Sequence, residues 1–365
     1  MKQGRAVATL CRRASLGPGM TKVTIRHVAA AAGVAVKTVS RVVNGEPNVT
    51  PDMRARVSQA VEHLGYVPSM AARRMGGSRS YLLVALNDRN NTINNWRSGR
   101  GNDWLDQMLH GAMLACEAQG YRLLFELVDA ASDDLDRKVV GILSALQPDG
   151  LILTPPHSQN ESLIQMLVRR DVPVVRLGLP AHGLGIGVYM NEREAGAAAT
   201  RHLTALGHER IGFIAGNARF AASEARRQGY VDALQEAGIT VDAALQAPGD
   251  FTYESGVTAV TRLLSLEDRP TALVASNDEM ALAALHCAGR SGLSVPADLS
   301  IVSFDDTPGA RLSVPALTCI RQPISEMAAS AAELLIAASR DGQHTPADHQ
   351  LPFRLIVRES TTARS

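Results

Sequence analysis

Apolar residues near the start of the chain recur at helical spacing. Ile25, Val28, Ala29 and Ala32 form one stripe, Gly33 interrupts it, Val34 fills the junction, and Val39, Val42 and Val43 form a second stripe. The spacing predicts two short helices over residues 23–45, joined by a tight turn with Gly33 at positive φ. Ala29 stays small because the second helix crosses close to it. The other face of that helix carries Val36, Lys37, Ser40, Arg41 and Asn44. This is a continuous polar and basic stripe of the kind a recognition helix lays in a major groove. Any helix pair in a small bundle shares the apolar pattern, but the glycine turn, the small crossing residue and the basic outer face together favour DNA. A third helix is expected after the cap Thr50 and Pro51, burying Val57, Ala60, Val61 and Leu64 and ending at Gly65. Arg54 and Arg56 on it are expected as phosphate contacts or solvated charges.

The next stretch, VPSMAARRMGGSRS at 67–80, has room for a helix of barely two turns at 69–75. Isolated helices shorter than roughly a dozen residues are marginal in water, so this one should order only when something holds it. From Tyr81 the pattern changes to short apolar runs: YLLVAL, RLLFELV, DGLILT, VPVVRL, IGVYM, RIGFIAG, PTALVASND and LSIVSFDD. Amphipathic stretches at 104–119, 134–147, 192–206 and 223–237 alternate with them. That alternation predicts parallel sheets covered on both faces, in two lobes of similar architecture. Polar residues follow the strands at Asn87-Asp88, Thr154, Asn217, Asn277-Asp278 and Asp305-Asp306. Ligands in such folds sit beyond the carboxyl ends of the strands, so facing lobes would aim these groups into one cleft. Carboxylates and amides suit a polyhydroxylated ligand, because each hydroxyl needs a partner once water is removed. Singly, Asn277 can cap the next helix and Asp305-Asp306 can make a turn; five such strand ends favour a site. Residues 87–103 are expected as a long loop, in which Asp88, Arg89, Trp96 or Trp104 could close over an oligosaccharide or glycoside.

A chain of 365 residues is too long for one ordinary core and implies two or three domains. Its 45% hydrophobic and 20% charged residues are those of a globular protein, and no apolar run is long enough to span a membrane. The net charge of +1 hides an asymmetry: residues 21–80 hold nine Lys and Arg against three Asp and Glu, and the remainder after them is acidic. A basic head on an acidic body suits a polyanion binder whose body stays off the polyanion. Cys11, Cys116, Cys287 and Cys319 lie far apart without metal-ligand spacing, as expected of thiols in a reducing compartment. Residues 1–20 are basic without an apolar core, expected as a disordered arm, and Met20 would make a natural start. There is no glycine-rich phosphate loop, metal-binding histidine cluster or nucleophile elbow, so neither catalysis nor a cofactor or metal is expected. Most histidines read as surface residues.

Residues 23–80 resemble the head and hinge of the lactose-repressor (LacI/GalR) family of bacterial transcription regulators. VTIRHVAAAAGV, KTVSRVVNG, the third helix around Pro51 and Arg54, and GYVPSMAARRM carry the likeness, which runs on to about Glu359. It implies an α + α/β fold: a three-helix helix-turn-helix head with a hinge helix, then a two-lobed periplasmic-binding-protein-like body of parallel sheets. The expected boundaries are 21–66 for the head, 67–80 for the hinge and 81–360 for the body. Lobe one is expected at 81–178 plus 318–342, and lobe two at 179–317 plus 343–360. Positions matching Val36, Lys37 and Arg41 touch base edges. Thr24, Ser40, Asn44 and Arg73 are expected as further DNA contacts, with Ala72 in the minor groove. Met75 stands where the family usually wedges a leucine between base pairs, and its flexibility would weaken the wedge. At Arg26-His27 the family usually has an acidic residue, so the capping box on Thr24 is expected to be incomplete, at about 1 kcal/mol or less.

In the body, the resemblance assigns effector contacts to Arg226, Asn277, Asp305, Phe251 and Gln322, and Asp88 joins them from the strand ends. It implies a cytoplasmic, nucleoid-associated repressor that binds a pseudo-palindromic double-stranded operator as a homodimer and answers to a carbohydrate. No heptad tail follows Glu359, so a tetramer is not expected. A nucleobase or phosphorylated metabolite acting as corepressor is the alternative effector, ranked lower because aromatic residues are thinly spread. A solute-binding transport protein shares the body but would need an export signal and no basic head, and for a sugar-processing enzyme no acid–base pair stands out.

Overall fold

The computed structural model describes residues 23–43, 48–66, 79–342 and 345–364, in two compact units that divide between Arg79 and Ser80. The expected N-terminal arm, the hinge helix with Ala72, Arg73 and Met75, and Asn44 all lie outside the described residues.

The first unit holds α1 (Ile25–Ala32), α2 (Val36–Val43) and α3 (Pro51–Leu64). Val28, Ala29, Ala32, Val39, Val57, Ala60 and Tyr66 form its buried core. Gly33 ends α1 in the left-handed region at φ 63°, where only glycine is at ease, and its amide closes on the last carbonyls of the helix. Two features go beyond what the sequence led us to expect. Arg56 is exposed, and its guanidinium also reaches back from α3 to Ala32 O at 2.5 Å and Gly33 O at 2.9 Å. A positive group on the exposed carbonyls of a helix end is favourable, and here it locks the turn between α1 and α2. The cap of α1 is completed after all: Thr24 N–H donates to Nδ1 of His27 at 3.2 Å, so an imidazole lone pair stands in for the usual carboxylate.

The second unit contains two six-stranded sheets. Their elements are β1 (Leu82–Asp88), α4 (Arg89–Ser98), α5 (Asp103–Ala118), β2 (Arg122–Val128), α6 (Leu135–Leu146), β3 (Gly150–Leu153), α7 (Glu161–Arg169), β4 (Val174–Leu177) and β5 (Ile186–Tyr189). They continue with α8 (Glu192–Ala205), β6 (Ile211–Ile214), α9 (Ala221–Glu236), β7 (Gln246–Ala247), α10 (Tyr253–Leu264), β8 (Ala272–Ala275), α11 (Asp278–Arg290) and β9 (Ser300–Phe304). The last are α12 (Pro308–Leu312), β10 (Thr318–Arg321), α13 (Ile324–Asp341), β11 (Ala347–Gln350) and β12 (Arg354–Ile356). The first sheet runs β11-β5-β4-β3-β1-β2 and is parallel throughout. The second runs β12-β10-β9-β8-β6-β7, with only β12 antiparallel. Each sheet reverses its strand order beside its first strand, at β1/β3 and at β6/β8, which is where such sheets open a crevice.

The lobe boundaries differ from expectation. β5 and β11 lie in the first sheet and β10 in the second, whereas α13 packs on α5 of the first lobe and β12 closes the second sheet, as expected. The chain therefore crosses between lobes near residues 190, 322 and 352. Short apolar runs alone do not say which sheet a strand joins, because that depends on pairing across long sequence separations. Residues 87–103, expected as a loop, instead hold α4, capped by the Asp88 carboxylate on Asn91 N–H and ended by Gly99 at φ 70°. His157 and His208 are the buried histidines among the described residues. Cys116, Cys287 and Cys319 are buried free thiols, as expected.

Candidate functional site

On the head, α2 presents Val36 (42% exposed) and Lys37 outward, with Ser40 and Arg41 half-buried beside them. Thr24 is exposed at the start of α1. Val39, between these positions, is fully buried, so the polar stripe is the face that the head's own core leaves uncovered.

In the body, a cavity of about 330 Å³ lies between the carboxyl ends of the two sheets, within the roughly 300–1,000 Å³ usual for ligand pockets. Asp88, Arg226, Phe251, Asn277, Asp305 and Gln322 all line it. These six are brought together from β1, α9, the loop before α10, the cap of α11, the end of β9 and the crossing after β10. Asn87 and Thr154 join them, but Asn217 and Asp306 do not. The Asn217 side chain accepts from Arg219 N–H within its own turn. Asp306 is buried beneath Arg321 and Arg358, which donate to its two carboxylate oxygens. Burial draws the Asp306 carboxyl upward, but these donors outweigh it and hold it below the usual carboxylate range.

Arg226 is the most constrained of the lining groups. It is buried, donates from Nε to Glu192 at 2.7 Å and from one terminal nitrogen to Ser276 O at 2.6 Å, and stacks 4.4 Å over the Phe304 ring. Its second terminal nitrogen has no protein hydrogen-bond partner among the described residues, and the residue lines the cavity. Asn277 caps α11 by accepting from Met280 N–H at 3.0 Å and anchors the neighbouring loop by donating to Phe251 O at 2.8 Å. Phe251 stands edge-on to Phe220, with ring centres 5.8 Å apart. Gly216 makes room for it: a Cβ there would come within 2.1 Å of the Phe251 ring.

Asp305 accepts a hydrogen bond from the Gln322 side chain. Burial, and then the charge of Asp278, push its carboxyl well above the ordinary range, and burial raises Asp278 as well. Two such groups do not both ionise readily. Asp305 and Asp306 both sit at positive φ, 108° and 63°, a conformation aspartate tolerates but does not prefer. The ion pairs on Asp306 hold that turn and so aim Asp305 at the cavity.

The lobes are tied across the cavity mouth. Gln159 donates to Arg219 O at 2.8 Å and accepts from Ala221 N–H at 2.7 Å. Arg219 lies 3.5 Å from Asp88, and Arg100 pairs with Glu254. Glu192, Gln159, Arg100 and the cavity face of α4 were not singled out in the sequence. A carboxylate in the first turn of a helix reads as an ordinary dipole partner, and nothing local reveals that Glu192 meets Arg226 across 34 residues.

The comparisons with known proteins agree with this geometry. Residues 24–69 match the family described as bacterial regulatory proteins, lacI family, and residues 200–361 match a periplasmic binding protein-like domain. The chain is 35% identical over 341 residues to the HTH-type transcriptional regulator CelR of Thermobifida fusca, covering 92% of this chain and 98% of that protein. A solved complex of CelR with cellobiose superimposes with a TM-score of 0.68 at 33% identity, covering 93% of this chain and 99% of the other. The lac repressor dimer bound to operator and the anti-inducer ONPF gives 0.75 at 27% identity, with the same coverage. The chain belongs to the lacI family of bacterial regulatory proteins and is a ligand-responsive transcriptional regulator.

Proposed function

We propose that the chain is a repressor that binds a pseudo-palindromic operator as a homodimer and is released by a sugar or glycoside. One observation carries the ligand half: six side chains from separate elements, assigned to a ligand before any geometry, line a single cavity whose polar groups suit hydroxyls. CelR was solved with cellobiose, a neutral disaccharide, in a body of the same fold. The DNA half rests on α2, where Val36, Lys37 and Arg41 would read base edges while Thr24 and Ser40 fix the register on the backbone. Asn44, Ala72, Arg73 and Met75 complete the proposed DNA contacts. The domain limits proposed for this function are 21–66 for the head, 67–80 for the hinge and 81–360 for the body.

Exposed apolar residues support a homodimer. Met113 and Leu114 on α5 are each 54% exposed, and Leu312 and Val314 around the end of α12 are 81% and 93% exposed. Side chains of this kind outside any core are surfaces for a second copy. In the proposed cycle, ligand changes the angle between lobes about the three crossings, shifts the paired surfaces and parts the two hinges. Such coupling is typically about 1–3 kcal/mol, enough to melt a segment that is marginal alone. Retardation of a fragment from the gene's own upstream region tests the DNA half. The expected result is a discrete complex of two chains per fragment that survives competitor DNA, and binding lost equally to any competitor would refute it.

A further inference from the structure

The helix α4 interrupts the connection between β1 and α5, and one face of it belongs to the cavity. Asn91, Asn94, Asn95 and Ser98 fall at i, i+3, i+4 and i+7, and all four line the space. The opposite side carries Trp96, whose ring meets Phe125 of β2 with centres 6.2 Å apart and holds the helix against the lobe. The loop after α4 is tied back to it, since Asn95 donates to Gly101 O at 2.7 Å. From that loop Arg100 crosses to the other lobe, pairs with Glu254 and lies 5.2 Å over the Tyr253 ring. Helix and loop thus form a strap from one lobe to the other. Asn91 and Asn94 are exposed to the cavity and make no side-chain hydrogen bond among the described residues, so each amide has a donor and an acceptor to offer.

Charge narrows what the strap can hold. Eight Asp and Glu side chains line the cavity against two Arg, and both guanidiniums already face carboxylates, Arg226 on Glu192 and Arg100 on Glu254. An anionic ligand would meet this field with both lining cations, among the described residues, already paired to carboxylates. A neutral polyol meets amides that both give and accept hydrogen bonds and carboxylates that accept them, and Trp104 and Tyr253 add apolar surface beside the strap.

We propose that the amide face of α4 is a second sugar subsite. The effector is an uncharged saccharide of at least two rings, one held at the strand ends around Arg226 and Asp305, the next read by Asn91 and Asn94 under the Arg100–Glu254 pair. This rests on the cavity being the effector site. Titration calorimetry on the full chain tests it with glucose, galactose, cellobiose, maltose, lactose and glucose 6-phosphate. At least one disaccharide binds about tenfold or more tighter than either monosaccharide, the effect of one or two added hydrogen bonds. The double variant Asn91→Ala/Asn94→Ala, altered only at exposed positions, loses that advantage while monosaccharide affinity stays within about twofold, and glucose 6-phosphate binds more weakly than glucose. Monosaccharide binding without any disaccharide advantage, or an advantage that survives in the variant, overturns the second subsite and leaves the effector site standing. Tighter binding of the phosphate ester overturns the uncharged ligand. A folded chain that binds no sugar of the panel overturns the saccharide reading of the cavity and the subsite with it.

Discussion

Arg226 and Glu192 are buried together, with side chains 5% and 12% exposed. Removing one partner of such a pair leaves an uncompensated charge and costs about 3–5 kcal/mol. Arg226→Ala is therefore expected to lower stability by that amount as well as to abolish the ligand response, whereas Arg226→Ala with Glu192→Gln recovers much of the stability and none of the response. A denaturation cycle over the four proteins measures the coupling; additive losses would show that the pair does not act as a unit. Asp305 carries a test of sign. Its folded-state carboxyl is raised by burial, so the protonated form is favoured in the fold, and stability is lost as pH rises from the unfolded value through the folded one. Asp305→Asn keeps the shape, tolerates the positive φ and cannot ionise. It should raise the melting temperature more at pH 8 than at pH 5, and an equal or reversed increment would contradict the assignment. Little of this was legible locally. Arg226 reads as one more charge on a helix face until family likeness singles it out, and Asp305-Asp306 reads as any acidic turn. Their meaning comes from partners distant in sequence.

At the scale of elements, the helix-turn-helix was nearly all visible, because its signals are local: apolar period, glycine turn, cap and stop residue. What escaped was Arg56, whose target is the end of a helix 23 residues earlier. Arg56→Ala should destabilise the head by roughly 1.5–3 kcal/mol, the usual weight of a hydrogen bond from a charged group, and weaken binding to all operators alike. Lys37→Ala should instead relax base preference at one position by about 1–3 kcal/mol with little change in stability. Affinity and melting measured for both variants on matched and mismatched operators separate the roles; the same profile from both would dissolve the distinction. The helix α4 was invisible for the opposite reason. RNNTINNWRS lacks an apolar stripe and is poor in strong helix formers, so neither period nor propensity marks it. It forms because Asp88 caps it, Gly99 stops it and Trp96 packs on Phe125. The strands β7, β10, β11 and β12 are two to four residues long and gave no separate signal.

Across the whole molecule, two lobes of repeated topology meet at a cavity, joined by three crossings and tied by the strap, the Gln159 contacts and Arg219. The two-lobed α/β body was legible from the alternation of strands and helices. The routing of β5, β10 and β11 between lobes was not, since short strands can join either sheet. The closing residues also proved structural: Ser360 is buried, accepts from Thr318 N–H at 2.8 Å and donates to Ile301 O at 2.6 Å. The central claim is that a ligand in the cavity governs DNA binding by the head. Fluorescence anisotropy of a labelled operator with the full chain, titrated with neutral disaccharides, measures that link directly. One such sugar should weaken operator binding by about 5–150-fold, and Arg226→Ala with Glu192→Gln should bind operator normally without responding. An operator affinity unmoved by any of the sugars that calorimetry shows to bind would contradict the account.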